Sequence, residues 1–190
     1  MDGAGCFSNP SDKLIMNKEV GKLIVGVAGI GAVVLIALIA AQLMDRENVL
    51  DRINLWPELN VETLDGSKLS TDQLFTKTPI LFNYFNTECV FCQAEIQDIA
   101  EHEALQEAVT LIFISDEDVD VIEQFRLNFE LEDQPQFQFF SDFNREVKNH
   151  YGIRSVPATY LYNSDGELVD FFRGQIKGET LYSIVTGMDN

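Results

Sequence analysis

Two short apolar runs, Ile80-Leu81-Phe82-Asn83-Tyr84-Phe85 and Val109-Thr110-Leu111-Ile112-Phe113-Ile114-Ser115, constrain this chain more than any other feature. Each is nearly continuous rather than alternating, as expected of a strand buried on both faces of a sheet. A helical pattern lies between them, from about Cys89 to Ala108, with Cys92, Ile96, Ile99 and Ala100 on one face. A strand, a crossover helix and a second strand predict a parallel pair at the heart of an α/β layer.

The flanks complete that layer. Val61–Leu64 and Ser67–Leu69 read as a hairpin about Asp65-Gly66, and Ser70 or Thr71 caps a short helix reaching Phe75. Val119–Phe129 carries helical spacing through Val119, Ile122, Phe125, Arg126 and Phe129. A short apolar run at Phe137–Phe140 precedes a helix from about Asn144 to Tyr151-Gly152. Ala158–Tyr162 and Leu168–Phe172 flank a turn at Asn163-Ser164-Asp165-Gly166, and a last helix fits Glu179–Thr186.

The chain has 190 residues, enough for one domain with an addition, and the addition is N-terminal. Leu23 to Met44 carries no charge, and Gln42 is its only strongly polar residue. As a helix rising about 1.5 Å per residue, this run spans roughly 33 Å, enough to cross a hydrocarbon core. It is longer than the apolar region of a cleaved signal and lacks a small-residue cleavage site, so a retained single-pass anchor is expected at 23–44. Residues 1–22 form a tail, 45–56 a linker and 57–190 the folded domain. Lys13, Lys18 and Lys22 precede the run, and Cys6 stands alone in the tail. Both point to a cytoplasmic N-terminus, with the domain on the extracytoplasmic side of a bacterial inner membrane. In the tail Asp2, Asp12 and Glu19 balance the three lysines, so the net charge of −18 resides in the rest. Such a field repels nucleic acid.

Three cysteines cannot form a disulfide framework, but Cys89-Val90-Phe91-Cys92 places two of them one helical turn apart. Partial positive charge and free N–H groups at a helix start favour a thiolate on Cys89. Cys92 falls on the apolar face, where a shielded resolving thiol belongs. Cys89 is thus the candidate nucleophile in thiol-disulfide exchange. A zinc site needs two further ligands, and only His102 and His150 exist. His102 is too far along the helix, and His150 suits a surface or packing role. A peroxidatic site calls for a single activated cysteine, which the pair argues against. No glycine-rich nucleotide loop is present, and no cofactor beyond the Cys89–Cys92 disulfide is expected.

The stretch Asn83-Tyr84-Phe85-Asn86-Thr87-Glu88-Cys89-Val90-Phe91-Cys92-Gln93-Ala94-Glu95 resembles the N-F-W-A-x-W-C-x-x-C-x-x-E segment of TlpA/ResA-like membrane-tethered thioredoxin relatives. The likeness continues through Tyr151–Leu161, Asp165–Leu168 and Gly174, covering roughly residues 57–187. It implies a thioredoxin-like fold, a central mixed sheet flanked by helices, and a cis Val156-Pro157 bond that faces the cysteines and pairs with an extended substrate. It also implies reduction of disulfides in exported proteins, for example in cytochrome c maturation, with electrons from a membrane donor. A disulfide-forming or isomerising enzyme, and a non-catalytic binding module or metallochaperone, are the alternatives.

Three departures bear on the chemistry. Glu88 replaces an aromatic before the first cysteine, Asn83 replaces the buried aspartate of thioredoxins, and no proline separates the cysteines. A carboxylate beside Cys89 disfavours its thiolate, which suits a reductant. Glu88 and Glu95 are both candidates for taking the proton that Cys92 loses, although Glu95 is expected as a solvated member of an acidic surface. The clusters Asp116-Glu117-Asp118 and Glu130, Glu132, Asp133 are likewise expected as solvated loop charge.

Overall fold

The computed structural model describes residues 31, 33–42 and 49–188, and the chain divides into two units, 1–48 and 49–190. In the first unit, residues 31 and 33–42 are helical with exposed side chains. Among the described residues no helix is long and apolar enough to cross a membrane. The tail at 1–22 and half of the expected anchor at 23–44 lie outside the described residues.

The second unit is a seven-stranded mixed sheet in the order β2-β1-β5-β4-β3-β6-β7. Its strands are β1 (Asn60–Thr63), β2 (Lys68–Ser70), β3 (Ile80–Tyr84), β4 (Thr110–Ser115), β5 (Phe137–Ser141), β6 (Ala158–Tyr162) and β7 (Leu168–Arg173). The helices are α1 (Val90–Ala100), α2 (Glu103–Ala108), α3 (Val119–Asn128), α4 (Glu146–Tyr151) and α5 (Gly178–Gly187). The two continuous apolar runs are the central strands: β3 pairs parallel with β4, and β4 parallel with β5. On the other side of β3, β6 and then β7 run antiparallel. Every residue of β3 and of β6 is buried, because helices or chain cover both faces.

Alternation along these strands separates two cores. Leu81, Leu111, Phe113, Phe137, Phe139 and Leu161 face Cys92, Ile96, Ile99, Ile122, Phe125, Leu181 and Val185. Ile80, Phe82, Tyr84, Ile112, Ile114, Tyr160 and Tyr162 face the opposite way, against Val147, Tyr151 and Ile53. Asn83 shares the parity of Leu81, and Thr159 that of Leu161. Both polar side chains therefore turn toward the layer that holds α1.

Three expectations change. The helix expected from Cys89 to Ala108 is interrupted at Glu101-His102, where local side chains satisfy the broken ends. His102 Nδ1 accepts the Leu105 N–H at 3.2 Å, and Gln106 Nε2 donates to the Ile99 and Ala100 carbonyls at 3.0 and 2.8 Å. The helix expected from Asn144 begins at Glu146, because the buried Asp142 carboxylate accepts the Val147 and Lys148 N–H groups at 3.0 and 2.8 Å.

The linker expected at 45–56 is, from residue 49, part of the folded unit. Residues 49–53 are helical and Ile53 is buried. Tyr162 Oη donates to the Ile53 carbonyl at 2.9 Å, and Trp56 Nε1 donates to the Thr71 carbonyl at 2.8 Å. The Trp56 ring meets Phe82 and Tyr162 edge-on at 6.2 and 5.2 Å. The apolar residues in this stretch seal one core, which its short, charged sequence does not advertise. Ile53→Ala should therefore destabilise the domain by about 3 kcal/mol, as a core truncation does, whereas a linker substitution would cost almost nothing. Chemical denaturation of the two proteins separates these outcomes.

Candidate active site

The site begins where β3 ends. Its last buried residues, Tyr84 and Phe85, bring the chain to the C-terminal edge of the parallel strands, and the turn Asn86-Thr87-Glu88 delivers Cys89 to the start of α1. Cys89 is the N-cap residue, and its Sγ accepts the Cys92 N–H at 3.3 Å. This N–H has no partner inside the helix, so the sulfur occupies the place of a capping oxygen. There an orphan donor and the helix dipole both favour negative charge. Cys89 is partly exposed and Cys92 fully buried, and both thiols are free. Burial, with Cys89 beside it, holds the Cys92 thiol well above the usual thiol range. Between the two cysteines Val90 and Phe91 stand exposed, at 66% and 61% of their surface.

A second loop closes on the first. The Val156-Pro157 bond is cis, and the Val156 carbonyl lies 3.9 Å from Cys89 Sγ. The antiparallel course of β6 beside β3 brings these residues together, since the start of β6 lies at the same sheet edge as the end of β3. The Gly174 N–H donates to the Pro157 carbonyl at 2.9 Å and ties this loop to the end of β7.

The turn before Cys89 is held from below. Glu117 accepts the Thr87 N–H and hydroxyl, both at 2.8 Å, and also the Ser115 hydroxyl at 2.8 Å. Gln93 Nε2 donates to the Thr87 carbonyl at 2.7 Å. Asp116 is paired with Lys148 at 2.8 Å and Arg145 at 3.2 Å. Of the cluster expected as solvated charge, Asp118 alone is exposed, because Lys148 and Arg145 supply donors to Asp116, and Thr87 and Ser115 supply them to Glu117.

The two glutamates divide sharply. Glu88 is exposed beside Cys89, where water screens its charge. Glu95, expected on the solvated surface, is instead completely buried. Its Oε1 accepts from Asn83 Nδ2 at 2.8 Å and from the Thr159 hydroxyl at 2.5 Å, and its Oε2 accepts the Ile176 N–H at 3.0 Å. Burial raises its pKa to about 7, a rise that these hydrogen bonds restrain. The sequence held the signal: Cys92, Glu95, Ile96 and Ile99 form an i, i+3, i+4, i+7 stripe, so Glu95 sits on the edge of the face that packs. Thr159 and the Ile176 N–H could not be paired with it from sequence, since they arrive from 64 and 81 residues away.

His102 and His150 join neither cysteine. His102 caps α2 and contacts Glu179 at 3.1 Å, while His150 Nε2 lies 3.2 Å from the Arg52 carbonyl. The geometry thus combines an accessible sulfur at a helix start, a shielded sulfur behind it, a buried carboxyl one turn further on, and an apolar surface around the accessible sulfur. Such an arrangement can carry dithiol-disulfide exchange.

Comparison with curated proteins finds no match. Among solved structures, the chain is similar to a secreted Mycobacterium tuberculosis disulfide oxidoreductase homologous to E. coli DsbE. The identity is 21%, the coverage is 72% of this chain and 98% of that one, and the TM-score is 0.58. StoA from Bacillus subtilis is 19% identical over 69% of this chain and 98% of its own, with a TM-score of 0.54. A thiol:disulfide interchange protein of the thioredoxin family from Chlorobium tepidum is 17% identical over 70% and 94%, with a TM-score of 0.58. These likenesses establish a thioredoxin-like fold. A family model matches residues 54–171, a span that takes in both cysteines, Glu95 and the Val156-Pro157 bond, and the chain belongs to the AhpC/TSA family.

Proposed function

We propose that this protein is a membrane-tethered thiol-disulfide oxidoreductase that reduces disulfides of exported proteins through Cys89 and Cys92. The observation that carries the reading is the capping geometry of Cys89, with its sulfur on the Cys92 N–H and Cys92 itself buried behind it. Cys89 attacks the partner disulfide, one sulfur of the partner leaves, and a mixed disulfide forms. Cys92 then loses its proton to Glu95 and attacks Cys89 Sγ. The Cys89–Cys92 disulfide closes and the partner departs as a reduced thiol, so two electrons pass from the dithiol to the partner. Val90, Phe91 and the Val156-Pro157 loop form the docking surface for an extended segment of that partner. Glu88 acts only as a screened charge at its rim.

Reduction rather than oxidation is favoured by the high proton affinity of the buried Cys92 thiol. It works against the thiolate form whose stability makes a dithiol an oxidant's product. The TlpA/ResA-like resemblance points the same way, toward cytochrome c maturation or a related reductive task, with electrons replenished by a membrane donor. The uncharged run from Leu23 to Met44 is the proposed anchor, placing the N-terminus inside and the domain on the extracytoplasmic face of a bacterial inner membrane.

Equilibrated against thiol buffers, the full chain should titrate as one two-electron couple at about −270 mV or lower, and Cys92→Ser should trap the partner on Cys89. A potential near −120 mV would reverse the direction of electron flow, and an absence of exchange would leave a binding module or metallochaperone. Glu95 makes a second expectation. Its carboxyl has a pKa of about 7 in the fold against an ordinary 4.5, so between those limits the folded chain holds a proton that the unfolded chain has released. Stability therefore declines as pH rises through that window, by about 3 kcal/mol, and Glu95→Gln should abolish this part of the slope. Denaturation midpoints of both proteins at acidic and alkaline pH decide it. Finally, the full chain should stay in the membrane fraction through alkaline carbonate extraction. Its release would remove the anchor from the reading.

A further inference from the structure

Asn83 and Thr159 sit directly opposite each other on β3 and β6, both completely buried beneath α1. With Glu95 they form a closed triangle. Asn83 Nδ2 donates to Glu95 Oε1 and to Thr159 Oγ1, each at 2.8 Å, and the Thr159 hydroxyl lies 2.5 Å from the same carboxyl oxygen. The other end of the Asn83 amide is different. Its Oδ1 is buried and has no hydrogen-bond partner among the described residues. A buried acceptor left unpaired forfeits its hydration without compensation, so such a group calls for an explanation.

The explanation lies in what the neighbour must do. A carboxyl that takes up a proton changes from pure acceptor to donor at one oxygen. A neighbour able only to donate, or only to accept, would oppose one of the two states. An amide carries a donor and an acceptor on one planar group, and a half-turn of its outer bond exchanges them. We propose that Asn83 and Thr159 are positioning residues for Glu95, with Asn83 presenting its N–H to the ionised carboxylate and its carbonyl oxygen to the neutral acid. Thr159 follows: its hydroxyl donates to the carboxylate while accepting from Asn83 Nδ2 in the ionised state, and donates to the Asn83 carbonyl oxygen in the neutral one.

This rests on the reading of Glu95 as the acceptor of the Cys92 proton. The transfer converts the Cys92 thiol and the Glu95 carboxylate into a thiolate and a neutral acid. The thiolate then displaces the partner sulfur from Cys89, and Glu95 later returns its proton to solvent. The charged and titratable groups acting on Glu95 are Asp98, further along the same helix, and the Cys92 thiol one turn before it. From the other elements packed on it, β3 presents Asn83, β6 presents Thr159, and the loop before α5 presents the Ile176 N–H. The two side-chain donors favour the ionised form, so losing either one displaces the titration upward.

Stopped-flow reaction of the reduced full chain, with Cys6→Ser as the common background, with dithiobis(nitrobenzoate) separates the two steps, since Cys89 releases the first thionitrobenzoate and Cys92 the second. In that background the second step should gain speed through an inflection near the Glu95 value of about 7. Thr159→Val and Asn83→Leu should each move that inflection upward by about one pH unit, with Thr159→Ser restoring it and the first step unmoved. Variants that lose stability but keep the inflection would reduce the pair to scaffold and overturn the proposal. Should either variant fail to fold, the side-chain amide nitrogen of Asn83 in the wild type provides the second reading. Its resonance should titrate together with the second step, and constancy across the same pH range would overturn the proposal. Glu95→Gln distinguishes the levels. If it leaves the inflection in place, the reading of Glu95 fails and the proposal with it. If it abolishes the inflection while the Asn83 and Thr159 variants leave it unmoved, the proposal alone fails.

Discussion

The hydrogen bond from the Cys92 N–H to Cys89 Sγ is the contact around which the rest is arranged. A sulfur can cap a helix only if the helix begins at that residue, and the start of α1 depends on β3 ending where it does. β3 in turn is held in register by a parallel neighbour on one side and an antiparallel one on the other. A slip of one residue would send Asn83 to the wrong face and move Cys89 off the cap. Glu117 and Gln93 both hold the intervening turn, at the Thr87 N–H and the Thr87 carbonyl, so the last residues before the cysteine have little freedom. Precise placement of one sulfur thus rests on the pairing of three strands.

Burial then divides the labour between chemically identical groups. Cys89 and Cys92 are the same side chain one turn apart, yet one meets solvent and a loop carbonyl while the other lies in the core. Glu88 and Glu95 differ in the same manner. The first is screened by water, whereas the second is removed from it and held by donors from three separate elements. In the proposed reaction these environments, rather than residue type, assign the nucleophile, the resolving thiol and the proton acceptor. Asn83 fits that scheme because a second buried carboxyl at its position would compete with Glu95 for one proton, whereas an amide accommodates either state.

The long acidic surface has a more modest role. Most of its carboxylates, such as Glu130, Glu132 and Asp133, are exposed and keep the domain dispersed. Those at the sheet edge that meet donors are drawn into structure, as Asp116 and Asp142 are. Charge in a loop is therefore not one category: its fate depends on whether an unpaired N–H or a lysine lies within reach.

Local pattern determined the elements and the chemistry that depends on sequence-near spacing. The continuous runs of β3 and β4, the two hairpins at Asp-Gly turns, and the pair of sulfurs at i and i+3 all follow from short-range rules of pleat, turn and helical turn. Tertiary structure alone decided what lies opposite what. The docking of residues 49–56, the clamp of Glu117 on Thr87 and the burial of Glu95 all depend on partners far away in the chain. A helix stripe can mark Glu95 as bordering the core, but only the juxtaposition of β3, β6 and the loop before α5 supplies the donors that let a carboxyl remain there. The physical reason is that patterning reports which face is dry, whereas the proton affinity of a group depends on which dipoles the completed fold brings against it.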